Sequence, residues 1–265
     1  MVPDHGVSEV SEALGRWWRR SASCFESLAA ELARRTAWKV FNPGLYGERW
    51  HARFRRAYPL RHHPLLFCGL NPGPYGMAQT GVPFTDLKRL ASHLPKLSRE
   101  LAAAGEPVGL PGLAPPQLRP FLTRTFESSS VRVYRFLDRA YGSAEAAFRA
   151  VVFVNPCPLL FIDPATGANR TPADLPKQLR GASGAAPLLA RFEELRRASV
   201  AEAIEQLAPR GVVLFGRNVA AAVGPRVRER LAPQQLVEWA HPARAVPDRW
   251  ARGLEQELES RRLLR

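Results

Sequence analysis

Cysteine is scarce in this sequence of 265 residues, which has only Cys24, Cys68 and Cys157. No two of them have the Cys-x-x-Cys spacing, so neither a disulfide framework nor a zinc or iron–sulfur site is indicated. The sequence also lacks a Gly-x-Ser-x-Gly elbow, a P-loop and a Walker-type lysine. We therefore expect neither a bound metal nor a cofactor.

Long apolar runs are also missing. The most apolar stretch, residues 150–162, is too short to span a bilayer and includes Asn155, Pro156 and Pro158. The N-terminus has no apolar core like that of a signal peptide. These absences predict a soluble intracellular protein, in the cytoplasm or nucleoid of a bacterium or in the nucleus of a eukaryote.

Lysine is nearly absent, whereas arginine is abundant. Only Lys39, Lys88, Lys96 and Lys177 are lysines among 38 basic residues, and the formal net charge is +14. Such an excess suits a polyanionic partner, of which nucleic acid is the commonest. A genome rich in G and C would raise arginine usage in the same way, so charge alone does not establish the partner.

Four short apolar segments predict the strands of a sheet: residues 64–70, 151–154, 212–215 and 236–239. Helical patterns separate them, which is typical of a parallel sheet with helices on both faces. We therefore expect an α/β fold, a three-layer α/β/α sandwich with a central four-stranded parallel sheet. Residues 1–265 should form a single monomeric domain, with residues 1–35 as a mainly helical N-terminal extension packed on it.

Three local patterns lead to narrower predictions. Ser199-Val200-Ala201-Glu202 has the form of a capping box, so a helix should begin there. Residues 86–101 have a helical pattern that is interrupted near Pro95. Residues 95–120 contain six prolines and several glycines and should form a long irregular excursion.

Three of the four predicted strands lead into a polar residue that is followed directly by proline: Asn71-Pro72, Asn155-Pro156 and His241-Pro242. Proline disfavours a helical conformation in the residue before it, so each polar residue should be extended. Ligands of open parallel sheets bind beyond the carboxyl ends of the strands, where these side chains should converge. A single Asn there is often only a turn former, so the convergence is the more specific signal.

The first of these strands leads into a loop, residues 69–84, that is rich in glycine and proline. Glycine permits positive φ and close backbone approach, and proline stiffens the chain between such points. A simple linker would not need the larger residues that lie among these glycines and prolines: Asn71, Tyr75, Met77, Gln79 and Phe84. We interpret the loop as one wall of a ligand pocket.

The candidate residues Asn71, Asn155 and His241 include no carboxylate. Two amides and an imidazole suit a reaction in which the leaving group is already good and the enzyme stabilises developing charge. They suit acyl transfer or metal-dependent hydrolysis poorly.

Residues 71–84, residues 155–161 and His241-Pro242 together resemble the single-strand-selective monofunctional uracil-DNA glycosylases, one family of the uracil-DNA glycosylase superfamily. The similarity extends to residues 41–43, residues 171–176 and Trp250, and it covers roughly residues 36–255. The resemblance implies an enzyme that starts base-excision repair. Such an enzyme flips uracil out of single- or double-stranded DNA and hydrolyses its N-glycosidic bond, which leaves an abasic site.

The same resemblance implies roles for the site residues. Asn71 positions the attacking water, and His241 donates a hydrogen bond to uracil O2 that stabilises the departing anion. Phe84 stacks on the flipped base, and the amide of Asn155 pairs with uracil N3–H and O4.

Gly73 and Met77 lie, by this resemblance, near uracil C5. There the family admits oxidised substituents such as hydroxymethyl and rejects the thymine methyl group. No lysine occupies a matched catalytic position, which implies hydrolysis without strand cleavage.

The sequence departs from the family pattern in three places. Tyr75 stands where the family usually has Phe, and Thr85-Asp86 stands where Gly-Glu is more common. The segment between His241 and Trp250 is shorter than the family's DNA wedge. By resemblance, Arg244 is the candidate for insertion into the base stack and Arg249 for contact with a phosphate.

Two other functions remain open. The same fold could act on deaminated purines, hypoxanthine or xanthine. Alternatively, the chain could bind damaged or single-stranded DNA without catalysis, although the presence of Asn71, Asn155 and His241 argues against a silent protein.

Overall fold

A computed structural model describes residues 8–103 and 114–264 of the chain. The helices are α1 (Glu9–Cys24), α2 (Glu26–Arg35), α3 (Pro43–Tyr46), α4 (Glu48–Ala57), α5 (Met77–Thr80), α6 (Leu87–His93), α7 (Pro95–Ala103), α8 (Ser128–Tyr141), α9 (Ala144–Ala147), α10 (Leu175–Gln178), α11 (Ala185–Leu207), α12 (Arg217–Arg228) and α13 (Pro247–Ser260). The strands are β1 (Lys39–Phe41), β2 (Leu65–Cys68), β3 (Val151–Val154), β4 (Leu160–Ile162), β5 (Asn169–Arg170), β6 (Gly211–Phe215) and β7 (Leu236–Trp239).

The central sheet has four parallel strands in the order β3-β2-β6-β7. Every residue of β2, β3 and β6 is buried, which is the pattern of strands covered by helices on both faces. At the edge, β7 leaves Glu238 exposed and Trp239 partly exposed. The predicted α/β fold with a four-stranded parallel sheet is confirmed.

The two faces of the sheet are covered by different helices. On one face, Phe67 stacks between Phe153 and Phe215, with ring centroids 5.1 and 5.4 Å apart, and α8 and α13 complete this apolar cluster. On the other face, Leu66 and Leu214 pack with residues of α1, α11 and α12. The alternation of side chains along each strand therefore builds the three layers.

The helix predicted to begin at Ser199 begins fourteen residues earlier, since α11 spans Ala185–Leu207. The capping-box prediction is wrong because Ser199 is buried in the middle of the helix and its hydroxyl bonds to Ser21 Oγ of α1, at 2.9 Å. Trp17 Nε1 also donates to Ser199 O, at 2.7 Å. The polar groups of Ser199 therefore bond to α1 and do not cap the start of a helix.

The helical pattern predicted for residues 86–101, with its interruption near Pro95, is confirmed by α6 (Leu87–His93) and α7 (Pro95–Ala103). The irregular excursion predicted for residues 95–120 is therefore wrong over its first nine residues. Proline is tolerated in the first turn of a helix, where its missing N–H has no intrahelical partner. Leu97 and Leu101 follow at helical spacing and are buried in the main core cluster. Residues 104–113 lie outside the described part of the chain.

A second, antiparallel sheet has the order β1-β4-β5 and was missed by the sequence analysis. Its strands have only three, three and two residues, too few for a periodic pattern to be visible. Phe41 pairs with Leu160, so the chain that leaves β3 is held only a few residues after Asn155. This sheet therefore fixes residues 155–159 beside the end of the central sheet.

No helix within the described ranges is both long enough and apolar enough to cross a lipid bilayer.

Candidate active site

The three polar residues that follow predicted strands lie at one edge of the central sheet. Asn155 directly follows β3, Asn71 comes three residues after β2, and His241 comes two residues after β7. Because these strands are parallel, all three residues lie beyond carboxyl ends. Gly69 N donates to Val154 O at 2.9 Å, which extends the pairing of β2 and β3 up to Asn155.

Gly69 lies beneath two of the predicted site residues. A β-carbon at this position would overlap Asn155 Oδ1 and would lie 2.7 Å from Phe84 Cζ. Contacts this short are not tolerated, so only glycine fits while both side chains keep their places. The side chains of Asn155 and Phe84, which are 71 residues apart in sequence, therefore meet over the α-carbon of Gly69.

Phe84 has a backbone φ of +56°, a conformation that bulky residues rarely adopt. Its ring packs against Phe153 and Phe215, with centroids 5.3 and 5.7 Å apart, and it remains partly exposed. Such strain costs on the order of 1–3 kcal/mol and persists where surrounding packing holds it. The core thus supports the ring while one part of it faces outward at the strand ends.

The side-chain amide of Asn155 is 7% exposed and has a fixed direction. Its Nδ2 donates to the sulfur of Met77 at 3.3 Å, while its Oδ1 lies over Gly69 beside Phe84. Met77 itself is 2% exposed. Along this side of the candidate site, the groups therefore follow in the order Phe84 ring, Asn155 amide oxygen, Asn155 amide nitrogen and Met77 thioether.

The amide of Asn71 joins the loop to the chain beyond β3. Its Nδ2 donates to Leu159 O and to Pro72 O, each at 3.3 Å. Both donated bonds use the nitrogen, so the amide oxygen is the atom available to accept a hydrogen bond from water.

His241 begins a 3₁₀ turn that covers Pro242–Arg244. Its Nδ1 accepts a hydrogen bond from Ala243 N at 3.2 Å, so in the neutral ring the proton is on Nε2, which is a donor. A β-carbon on Gly216, whose φ is +93°, would lie 3.1 Å from the β-carbon of His241. Trp250 Nε1 donates to Ala240 O at 2.8 Å and holds the residue before the histidine.

The far end of the loop is held by buried polar groups. Thr80 Oγ1 donates to Thr85 O at 2.7 Å, and Thr85 Oγ1 lies 2.9 Å from Tyr134 Oη. Asp86 is fully buried and accepts from Arg89 N at 2.8 Å and from Glu127 N at 2.9 Å. Thr85 and Asp86, which depart from the family pattern, therefore tie the loop to α8 and to the residues before it.

Glu127 is a residue of this site that the sequence analysis missed. Part of its surface is exposed, yet its carboxylate fills the space where β-carbons on Gly73 and Gly76 would lie. Burial raises the pKa of Glu127 to about 7; a hydrogen bond from Ser129 opposes this shift, and the neighbouring Asp86 carboxylate adds to it. The Glu127 carboxyl group therefore packs against the loop, and its pKa lies near neutral pH.

Tyr75, the other departure from the family pattern, has two partners. Its hydroxyl lies 3.1 Å from Thr123 Oγ1, and the Arg124 guanidinium lies over its ring at 5.3 Å from the centroid. The added hydroxyl thus links the loop to residues 122–127.

The two arginines predicted to contact DNA follow His241. Arg244 is the last residue of the 3₁₀ turn, and its side chain lies outside the described part of the structure. Arg249 is exposed in the first turn of α13, where it lines an open groove with Trp239 and Arg252.

Within residues 8–103 and 114–264, His, Cys, Asp and Glu side chains do not gather in threes as a metal site would require. A small cavity of about 10 Å³ borders Met77 and Asn155 on the side away from the residues that pack against Phe84. That is roughly the space of one water molecule. Trp17, Trp18 and Ser21 of α1 line its other side.

The arrangement presents a flat aromatic ring, an oriented amide, a second amide with an available oxygen, and an imidazole donor at one edge of the sheet. These groups can sandwich and hydrogen-bond a planar heterocycle, hold a water, and stabilise negative charge on a leaving group. They supply no nucleophile of their own.

Comparison with known proteins gives a consistent family. Residues 56–258 match the uracil DNA glycosylase superfamily. The chain is 34% identical over 216 residues to a protein of Bos taurus named single-strand selective monofunctional uracil DNA glycosylase, covering 78% of this chain and 71% of that protein. The same-named protein of Rattus norvegicus is 32% identical over 235 residues, covering 85% of this chain and 76% of that protein.

Other matches are shorter or more distant. The same-named protein of Mus musculus is 37% identical over 147 residues, which is 53% of this chain and about half, 48%, of that protein. The crystal structure of wild-type SMUG2 from Pedobacter heparinus superposes with a TM-score of 0.59 and 20% identity, covering 84% of this chain and 88% of that one. This structural likeness concerns the fold.

Proposed function

The chain belongs to the uracil-DNA glycosylase superfamily and, within it, to the single-strand selective monofunctional uracil-DNA glycosylases; from this premise we propose that it excises uracil from DNA. The base is flipped out of the stack and the N-glycosidic bond is hydrolysed, which leaves an abasic site without strand cleavage. The observation that carries this proposal is the convergence of Phe84 and the oriented Asn155 amide over Gly69.

Recognition of uracil follows from the direction of the Asn155 amide. Its Oδ1 accepts from uracil N3–H, and its Nδ2 donates to O4 after leaving the Met77 sulfur, which is only a weak acceptor. Cytosine inverts this pattern and leaves buried polar groups unpaired, which a polar pocket rejects strongly. Stacking on Phe84 contributes roughly 1–3 kcal/mol, by analogy with other base–aromatic contacts.

The chemical step needs charge stabilisation and a placed water. The bond between C1′ and N1 breaks, its electron pair leaves with uracil, and the sugar becomes cation-like. His241 Nε2–H donates to uracil O2 and stabilises the anion, a contribution of about 3 kcal/mol for a preorganised donor. Water held by Asn71 Oδ1 adds to C1′, and its released proton goes to solvent while the uracil anion is protonated.

The C5 side of the base faces Met77. Because the amide nitrogen pairs with O4, C5 lies further toward the Met77 thioether. We propose that Gly73, in the same loop, also borders C5. The cavity beside Met77 and Asn155 supports acceptance of a small polar group there. We therefore include oxidised 5-substituted uracils, such as 5-hydroxymethyluracil, in the proposed substrate range.

The N-terminal helices belong to this proposal as well. Trp17, Trp18 and Ser21 of α1 line the cavity beside Met77 and Asn155. This contact supports our proposal that the N-terminal helices are an extension packed on a single catalytic domain. We propose further that this domain acts as a monomer.

The proposal is tested with oligonucleotides that each carry one lesion, in single- and double-stranded form. We expect uracil to be released and an abasic site to form, with strand breaks appearing only after alkali. Oligonucleotides with 5-hydroxymethyluracil, hypoxanthine and xanthine measure the substrate range, and thymine and cytosine are the negative controls. Absence of product from every lesion at micromolar enzyme would contradict the proposal, and release of only hypoxanthine or xanthine would favour the purine alternative.

A further inference from the structure

Residues 122–127, here called the rim segment, lie against the loop of the site. Thr123 Oγ1 lies 3.1 Å from Tyr75 Oη, Gln79 Nε2 donates to Arg124 O at 3.1 Å, and Glu127 N donates to Asp86 Oδ2 at 2.9 Å. Two contacts with the loop and one with Asp86, two residues after its end, thus hold a segment of six residues in place. It is fixed to the same loop that carries the proposed water-binding and base-stacking residues.

The rim segment is also joined to the histidine side of the site. It leads into α8, whose Arg132 Nε donates to Ala245 O at 2.7 Å. Ala245 follows the 3₁₀ turn that begins at His241. The rim segment therefore lies against the loop, and the helix that it leads into contacts the residue that follows the His241 turn.

The exposed residues of the rim segment are of the kinds that bind single-stranded nucleic acid. Thr123, Arg124 and Thr125 are exposed, and Phe126 is 46% exposed, one of the few large apolar side chains so accessible in the described part of the chain. Another is Val246, which is 66% exposed and follows Ala245. Aromatic rings beside arginine are a stacking and phosphate-binding combination.

The direction of Arg124 is set by the neighbouring loop. Its guanidinium lies over the Tyr75 ring, 5.3 Å from the centroid, and the Arg124 side chain remains exposed to solvent. This contact uses the position at which the loop departs from the family pattern. Tyr75 therefore has a role as a support for the rim segment as well as a part of the loop.

We propose that the rim segment is a second DNA-contacting edge of the site: Phe126 stacks on a base adjacent to the flipped nucleotide, and Arg124 binds the phosphate backbone. The proposal rests on DNA being the substrate, as proposed above. It adds a second DNA contact beside the shortened segment between His241 and Trp250. Phe126 and Arg124 are binding residues and take no part in the chemical step.

Two measurements test it. Equilibrium binding to a single-stranded oligonucleotide with a central abasic-site analogue is followed by fluorescence anisotropy, and uracil excision is measured on the matching uracil oligonucleotide. Phe126→Ala should weaken binding and raise KM roughly tenfold, with kcat changed less than twofold, because stacking is lost and the catalytic groups are not touched. Phe126→Trp should restore binding, whereas Phe126→Leu should behave like Phe126→Ala.

Arg124→Ala should weaken binding several-fold and lower the slope of log K against log salt by about one. The matched control is Arg61→Ala, which removes an exposed arginine near the opposite edge of the sheet, before the start of β2. Thermal melts of all variants exclude unfolding as the cause of weaker binding.

The proposal is overturned if Phe126→Ala and Arg124→Ala bind DNA as Arg61→Ala does, or if Phe126→Leu restores binding as well as Phe126→Trp. A wild-type protein that releases no lesion base would refute the proposed function instead. In that case the anisotropy measurement still tests the rim segment, because it requires no turnover.

Discussion

The side-chain oxygen of Asn155 occupies the place where a β-carbon on Gly69 would be. Phe84 lies over the same glycine, so the distance between the Phe84 ring and the Asn155 amide, the groups proposed to stack on and pair with the base, depends on a position that has no side chain. Gly69→Ala should therefore displace both groups, and we expect uracil excision to fall by roughly 10² or more, because displacements of about 1 Å have effects of that size.

The matched control for this variant is Gly142→Ala. Gly142 ends α8 with a φ of +78° and has no atom within 4 Å of its β-carbon position. It should lose about 1 kcal/mol of stability through backbone strain while keeping full activity. Equal activity of the two variants would contradict the role given to Gly69.

His241→Ala should lower kcat by roughly 10²–10³ with little change in KM, because the donor acts on charge that develops in the transition state. Steady-state kinetics on a uracil oligonucleotide provide the measurement. His62→Ala, which changes an exposed histidine before β2, is the control and should retain wild-type kinetics. A parallel rise in KM would indicate that His241 binds the ground state instead.

Tyr75→Phe introduces the residue expected from the family resemblance and removes only the hydroxyl that contacts Thr123. We expect a loss of about 0.5–1.5 kcal/mol in the free energy of unfolding, the usual net value of one hydrogen bond. The ring remains beneath Arg124, so DNA binding should change much less than in Arg124→Ala. Urea unfolding and anisotropy measure the two effects, and a larger loss of binding than in Arg124→Ala would contradict this division of roles.

Glu127 makes stability depend on pH in an unusual direction for a carboxyl group. Its pKa rises from about 4.5 in the unfolded chain to about 7 in the fold, so between these values the folded state holds a proton that the unfolded state has released. The contribution of Glu127 to stability is therefore fully present below pH 4.5 and is lost as pH rises through 7. The loss is at most about 3 kcal/mol, and less where solvent reaches the carboxylate.

Glu127→Gln should remove this dependence, because the amide keeps the size of the neutral acid and does not titrate. We expect the variant to be more stable than the wild type at pH 8 and similar to it at pH 4.5, as measured by denaturant unfolding at both values. Glu205→Gln, at an exposed site on α11, is the control and should show no such difference. An unchanged difference between the two pH values in Glu127→Gln would show that the carboxyl group does not titrate in this range.

Much of the central architecture could be predicted because its signals are local. Each buried strand is a short apolar run, and the polar residue and proline that follow Cys68, Val154 and Trp239 mark one edge of the sheet. Parallel pairing then places those residues at one edge without knowledge of any tertiary contact.

What the sequence did not predict depends on contacts between distant segments. The strands β1, β4 and β5 are too short to show a period, and they exist because Phe41 pairs with Leu160, 119 residues away. Ser199 has a cap pattern but bonds to Ser21. Glu127 belongs to no motif; its only trace in the sequence is the pair Gly73 and Gly76, whose missing side chains leave room for it.

The bond from Asn155 to the Met77 sulfur also has a consequence for undamaged DNA. An amide turned by half a rotation presents its donor and acceptor in exchanged positions, which is the pattern complementary to cytosine. The thioether accepts a hydrogen bond from nitrogen and has none to offer to oxygen, so it favours the orientation that reads uracil. If Asn155 reads the base as proposed above, the contact with Met77 sets the amide for uracil before DNA binds, and acceptance of a normal cytosine would first require the amide to turn against this contact.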